Sequence, residues 1–350
     1  MPCRTYITHI CTARFRKIQF INQKSCNYMN NRKKITIEDP IKRPYEALIT
    51  QFYNENACLD TIFKIRAEKE TNGCIKCGGP IIKYYKKVSG RPCYQCSICL
   101  QQVYPKAGTI FDHTHVLLKD WFYVAINKIH HNSGFSANRV AYQLSLGDGT
   151  AWKLLKKVRQ WMTMADTDNI KLDGYVEVDE VAIPTGTKGL GRKRKKKRGF
   201  GSESHTAFLS MAQRDGKVKS FMIPDRDETT LLQLISDNVE PGATILTDEW
   251  RAYRKLKELG YNHETVNHSI GQYKNGAAST NRLEGFFGHV KPSLIRGTHR
   301  HISETHSQDY MNEQGFRYNN RTEPLHVRFD KLLDCLPPLF EHVRNKQSAK

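Results

Sequence analysis

Hydrophobic spacing along the chain switches between helical and strand periods. Over residues 45–68, Leu48, Phe52, Leu59, Ile62, Phe63 and Ile65 recur at roughly helical intervals and predict a helix. Residues 74–112 are rich in cysteine, glycine and β-formers and predict short strands and turns. Helical periodicity returns over 116–162, with a break at Gly147-Asp148-Gly149. From residue 175 strands and helices alternate. YVEVDEVAI (175–183), HTAFLSMAQ (205–213), KVKSFMIP (217–224) and ATILT (243–247) read as strands. TTLLQLISDNV (229–239) and EWRAYRKLKELG (249–260) read as helices. The pattern is α/β or α+β, with an early run of antiparallel strands.

Composition adds a partner. The 350 residues hold 55 Lys and Arg against 35 Asp and Glu, a formal charge of +20, and 39% are hydrophobic. That is enough apolar content for a core, and the charge favours a polyanion, nucleic acid before an anionic membrane surface. No apolar run reaches the ~18 residues of a membrane span, so no membrane partner is expected. Residues 1–37 carry eight basic residues and no acid. They read as a transit peptide, as a basic arm, or as sequence upstream of a true start at Met29, and the last is preferred. Residues 188–198, KGLGRKRKKKR, form a second basic run between two strands, and Arg192, Lys193, Arg194 and Lys195 are candidate phosphate contacts without base specificity.

Five of the ten cysteines fall between positions 74 and 99. Cys74-x2-Cys77 and Cys96-x2-Cys99 give four thiolates for a structural Zn²⁺, with Gly78-Gly79 permitting the turn after the first pair. Cys93 is the alternative to Cys96. Ser136 is a candidate helix cap at the start of a helix-turn-helix over 136–162, completed by WFYVAINKI (121–129). Val140, Leu144, Trp152, Leu155 and Val158 are expected between its helices. Lys153, Lys156, Lys157 and Arg159 are expected to project toward DNA.

Three acids stand out. Asp179 interrupts an apolar strand, Asp248 ends another, and Glu284 lies in TNRLEGFFGHVK, sharing a helix face with Asn281 and Lys291. Pro292 is expected to end or kink that helix. Singly, each acid has a structural explanation, such as an N-cap for Asp248. Together they suit a hard cation, Mg²⁺ or Mn²⁺. Spacing alone leaves Glu177, Glu180 and Glu249 as alternatives.

The ordered set of motifs resembles the ISXO-like insertion-sequence transposases, related to the eukaryotic Merlin elements. The likeness runs from about Met29 to Arg321. It is carried by residues 57–79 with the first cysteine pair, 96–126 with the second, VEVDEVAI, ILTDEWRAY, GYNHETVNHS, STNRLEGFFGHVK and FRYNNR. Ile183-Pro184-Thr185-Gly186 departs from the Gly-Gly segment frequent in relatives.

The resemblance implies an RNase H-like catalytic domain, a mixed sheet flanked by helices, behind a zinc ribbon and a helix-turn-helix. The expected domains are a basic extension (1–44), helix plus zinc ribbon (45–112), helix-turn-helix (113–166), catalytic domain (170–325) and C-terminal tail (326–350). It further implies an Asp-Asp-Glu triad of Asp179, Asp248 and Glu284, with Asn281 and Lys291 at positions some relatives use. The implied function is binding of terminal inverted repeats, then metal-dependent cleavage and strand transfer into target DNA by a homo-oligomer pairing two ends. Such a protein would work in a bacterial cytoplasm or nucleoid, or in a eukaryotic nucleus. The competing readings are a non-catalytic zinc-containing DNA-binding protein from a decayed or domesticated element, and a nuclease that cuts without joining.

Overall fold

The computed structural model describes residues 44–348 apart from 71–72, 89–90, 132–133, 186–204, 249, 266–280, 296–297 and 300–301. The N-terminal extension to residue 43 and the basic run 188–198 lie outside the described residues. From Leu48 to Lys350 the chain is one compact unit.

The first predicted helix is two, α1 (Pro44–Gln51) and α2 (Glu55–Glu68). Asn54 causes the break: its side chain accepts the Asn56 N–H and caps α2. The ribbon follows as an antiparallel sheet of β1 (Ile81–Val88), β2 (Arg91–Cys96) and β3 (Gln102–Val103). Three helices come next, α3 (Leu118–His130), α4 (Ala137–Leu144) and α5 (Asp148–Asp166). Ser136 caps α4 through the Arg139 N–H as expected.

The break between α4 and α5 lies earlier than predicted. Ser145 takes the left-handed conformation (φ 52°), Gly147 is the N-cap of α5, and Asp148 and Gly149 are already helical. An acid in the first turn suits the helix dipole. Val140, Leu155 and Val158 are buried as expected. Trp152 is not: it lies on the outer face, 39% exposed. Phe52, Phe111, Phe122, Trp161 and Phe329 form an aromatic centre of edge-to-face and tilted pairs with centroid separations of 5.0–6.2 Å.

The second half is a mixed sheet. β4 (Tyr175–Pro184), β5 (His205–Gln213) and β6 (Val218–Ile223) are antiparallel neighbours. β7 (Thr244–Thr247) and β8 (Asn262–Thr265) add in parallel on the other side of β4, giving the order β6-β5-β4-β7-β8. One face packs on α6 (Glu228–Asn238) and a 3₁₀ helix (Arg251–Leu256) through Val176, Val178, Leu231, Ile235 and Tyr253. The segment 249–260 is therefore only a short, tighter helix. The opposite face packs on α7 (Asn281–Val290) and α8 (Glu304–Asn319) through Val181, Ile183, Leu283, Phe286 and Met311. After α7, Lys291–Ile295 widen into a π-helical turn around Pro292, which has no N–H to give the ladder.

Residues 326–350 do not form a tail. α9 (Leu325–Asp334) buries Phe329, Leu332 and Leu333, and Leu339 and Phe340 pack on Tyr94 and Val103 of the ribbon. The last helix, α10, is Glu341–Ser348. Arg66 of α2 ties this region down by donating to the carbonyls of Pro337, Pro338 and Leu339 and to those of Pro105 and Ala107.

The helical half and the sheet half share a buried ion pair. Lys128 of α3 donates to both oxygens of Glu313 on α8 at 2.7 and 2.6 Å, and both side chains are wholly inaccessible. Arg317 lies 3.7 Å from the same carboxylate. Burial pushes the Glu313 carboxyl up, but Lys128, His299, Arg317 and Arg159 outweigh it and hold it well below the ordinary 4.5. Burial lowers the Lys128 ammonium from its usual value.

Glu313→Ala would strand the Lys128 charge and cost about 3–5 kcal/mol in denaturant unfolding. Because the folded pKa is depressed, this carboxylate contributes stability above pH 4.5 that is lost on acidification below it. The variant's stability should be the flatter of the two in that acid range.

Candidate active site and cysteine cluster

Strand alternation decides which acids share a face. Glu177, Asp179, Val181 and Ile183 point toward α7, while Val176, Val178 and Glu180 point toward α6. Asp179 sits in mid-strand opposite Ser210 of β5, half-buried, with one carboxylate oxygen accepting the Glu180 N–H at 2.7 Å. On its other side β4 and β7 run parallel with Glu177 opposite Leu246. The pairing ends there, with Asp179 two residues further along β4 and Asp248 just past the end of β7. The second acid thus emerges at the end of the strand next to the one that carries the first.

Asp248 is not the expected helix N-cap. That position is Trp250, and Asp248 instead accepts the Trp250 N–H at 3.0 Å, shaping the turn out of β7. Glu284 lies in the first turn of α7, on its exposed side. Lys291 is also exposed, at the start of the π-helical turn. Asn281 begins α7. As placed, the three acids are not gathered closely enough to enclose an ion; among the described residues only the cysteines are.

Two of the alternative acids have other work. Glu177 is 2% exposed and its Oε2 accepts the N–H groups of Arg282 and Leu283, both at 2.9 Å. Burial pushes its carboxyl up, and those two donors pull it back only in part. Glu180 points into the other layer, where Tyr253 Oη and Arg226 donate to its two oxygens. Burial pushes it up as well. The Arg226 guanidinium lies 3.8 Å from the centre of the Trp250 ring, so this network reaches the Asp248 turn. Glu249 lies outside the described residues. Arg226 belongs to no motif of the sequence, whereas Tyr253 and His263 lie inside ILTDEWRAY and GYNHETVNHS without a role attached to them there. His263 Nε2 lies 2.8 Å from Thr247 Oγ1, the residue before Asp248.

The cysteine spacing resolves cleanly. Cys74, Cys77, Cys96 and Cys99 have all their Sγ atoms within 4.8 Å of one another, with Cys74–Cys99 at 3.6 Å and Cys77–Cys96 at 3.3 Å. Tetrahedral thiolates at ~2.3 Å from one ion would lie about 3.8 Å apart, so four sulfurs fit one ion. Cys93 sits on β2 opposite Tyr84 and outside this group. Both pairs use the same turn. Gly78 N–H bonds back to Cys74 O and Leu100 N–H to Cys96 O, with positive φ at Gly78 (72°) and Leu100 (62°). A Cβ on Gly79 would press within 3.1 Å of Cys96 Sγ, so the second glycine gives space rather than conformation.

Of the basic residues on α5, Lys153 and Lys157 are exposed and Lys156 is half-buried. Arg159 does not project. It is 2% exposed and stacks 3.9 Å over Tyr310, so it is a core residue. Arg192, Lys193, Arg194 and Lys195 lie outside the described residues.

Residues 171–319 match the ISXO2-like transposase domain. An uncharacterized protein in transposable element ISH50 of Halobacterium salinarum is 25% identical, over 75% of this chain and 90% of that one. An uncharacterized transposase-like protein of Haemophilus influenzae is 29% identical, over 30% of this chain and 82% of that one. Among solved structures, a pre-cleavage Mos1 transpososome aligns over 62% of this chain and 77% of that chain, at 12% identity and a TM-score of 0.26. The family match, residues 171–319, falls on the mixed sheet and its two helical layers, and the chain as a whole is similar to proteins of transposable elements.

Proposed function

We propose that this protein is the transposase of a mobile element, that it binds double-stranded DNA at terminal inverted repeats, and that it cuts and joins DNA with Asp179, Asp248 and Glu284. The observation that supports the reading is the parallel pairing of β4 and β7, since Asp179 lies two residues beyond the last pair on β4 and Asp248 two beyond it on the β7 side. The strand order, with three antiparallel strands followed by two parallel ones, supports an RNase H-like domain. No helix among the described residues is long and apolar enough to cross a membrane.

Asp179 and Asp248 offer hard oxygen donors that suit Mg²⁺ or Mn²⁺, and Glu284 is the third donor on a helix docked alongside. When bound, such ions lower the pKa of an attacking water or 3′-hydroxyl and offset charge on the leaving oxygen. The protein's own part is to present both aspartates from adjacent strands. Lys291, exposed beyond Glu284, would contact a phosphate, as would Lys153, Lys156 and Lys157 on α5. Arg192, Lys193, Arg194 and Lys195 add charge without base specificity. The four cysteines hold zinc and fix the ribbon. A homo-oligomer would pair the two element ends.

Asp179→Asn should abolish Mg²⁺-dependent cleavage of terminal-repeat DNA while leaving its binding intact. Retained cleavage would remove Asp179 from the chemistry. Binding without cleavage by the wild-type protein would favour a DNA-binding protein that has lost catalysis, and cleavage without joining would favour a simple nuclease. The cysteine assignment has its own readout: purified protein should contain one zinc per chain, and Cys77→Ser should lose it. Wild-type protein without zinc, prepared without chelator, would defeat the assignment.

A further inference from the structure

Glu177 is two residues before Asp179 and shares its face of β4, yet it is among the most deeply buried acids described, 2% exposed. Its Oε2 accepts from Arg282 and Leu283 at 2.9 Å each. Those N–H groups belong to the first turn of α7, where no intrahelical carbonyl can take them. An anion there also gains from the helix dipole. Leu283 immediately precedes Glu284, so the bond that fixes the Leu283 amide fixes the backbone from which Glu284 projects. The same turn is held from the other side, where Tyr318 Oη donates to Arg282 O at 3.1 Å and the Leu283 side chain is fully buried.

We propose that Glu177 is a positioning residue: it ligates no metal but docks the N-terminus of α7 on β4, and so fixes the backbone from which Glu284 would reach an ion held by Asp179 and Asp248. This rests on the role proposed above for those three acids. The requirement is for an acceptor of the right reach, and a neutral one suffices. Gln at 177 keeps an oxygen at the same distance. Asp keeps the charge but falls one methylene short.

The test is Mn²⁺ binding to the zinc-loaded full-length protein, followed by electron paramagnetic resonance, with thermal unfolding to confirm the fold. Glu177→Gln should bind Mn²⁺ within about threefold of wild type. Glu177→Asp and Glu177→Ala should weaken it by about 10–100-fold, the range for residues that orient ligands. Asp179→Asn is the control for loss of a ligand. Positioning fails if Gln weakens binding as much as Asp179→Asn while Asp does not, since that order marks a metal ligand. It also fails if Asp and Ala bind like wild type. Wild-type protein that binds no Mn²⁺ defeats the three-acid reading itself, and this inference with it.

Discussion

A carboxylate buried inside a sheet must find donors or lose its charge, and β4 carries three acids in four positions. The sheet meets that constraint by dividing them. Glu177 takes the free amides of α7, and Glu180 takes Tyr253 and Arg226 in the opposite layer. Asp179, between them, keeps a half-open position beside the end of β7. The two flanking glutamates thus bind the sheet to its helical layers on both faces. The acid left between them is the one whose neighbours on either side are held rigid.

The same economy governs the positive charge. Arg66, Lys128, Arg159 and Arg317 are all buried, where they hold segments distant in sequence together. Arg66 saturates carbonyls from two loops. Lys128 and Arg317 converge on Glu313. A formal charge of +20 is therefore only partly a surface property. What remains outward on α5 includes Lys153 and Lys157, while Ala151, Leu154, Leu155, Val158, Arg159, Trp161 and Met162 make its buried face.

Much of the sheet was legible in the sequence, because short apolar runs rich in β-formers are a local signal. HTAFLSMAQ coincides with β5 end to end, and the two cysteine pairs specify their cluster through spacing alone. What was not legible depended on contacts distant along the chain. Arg159 reads as one more cation beside three lysines until Tyr310 is found over it. Residues 326–350 read as a tail because the family likeness ends near Arg321, yet Phe329 packs into the aromatic centre and Leu339 and Phe340 pack on Tyr94 and Val103. Glu177 and Asp179 have the same period and the same apolar neighbours. Only the N-terminus of α7, a hundred residues away, distinguishes the docked acid from the open one.

The account stands on where a divalent ion would sit. Anomalous diffraction from crystals of the protein with duplex DNA and Mn²⁺ measures that position directly. The expected result is a manganese peak bridging the Asp179 and Asp248 carboxylates, with Glu284 drawn toward it and Glu177 still bonded to the Arg282 and Leu283 amides. A peak ligated by Glu177 or Glu180, or no peak between β4 and β7, would contradict it.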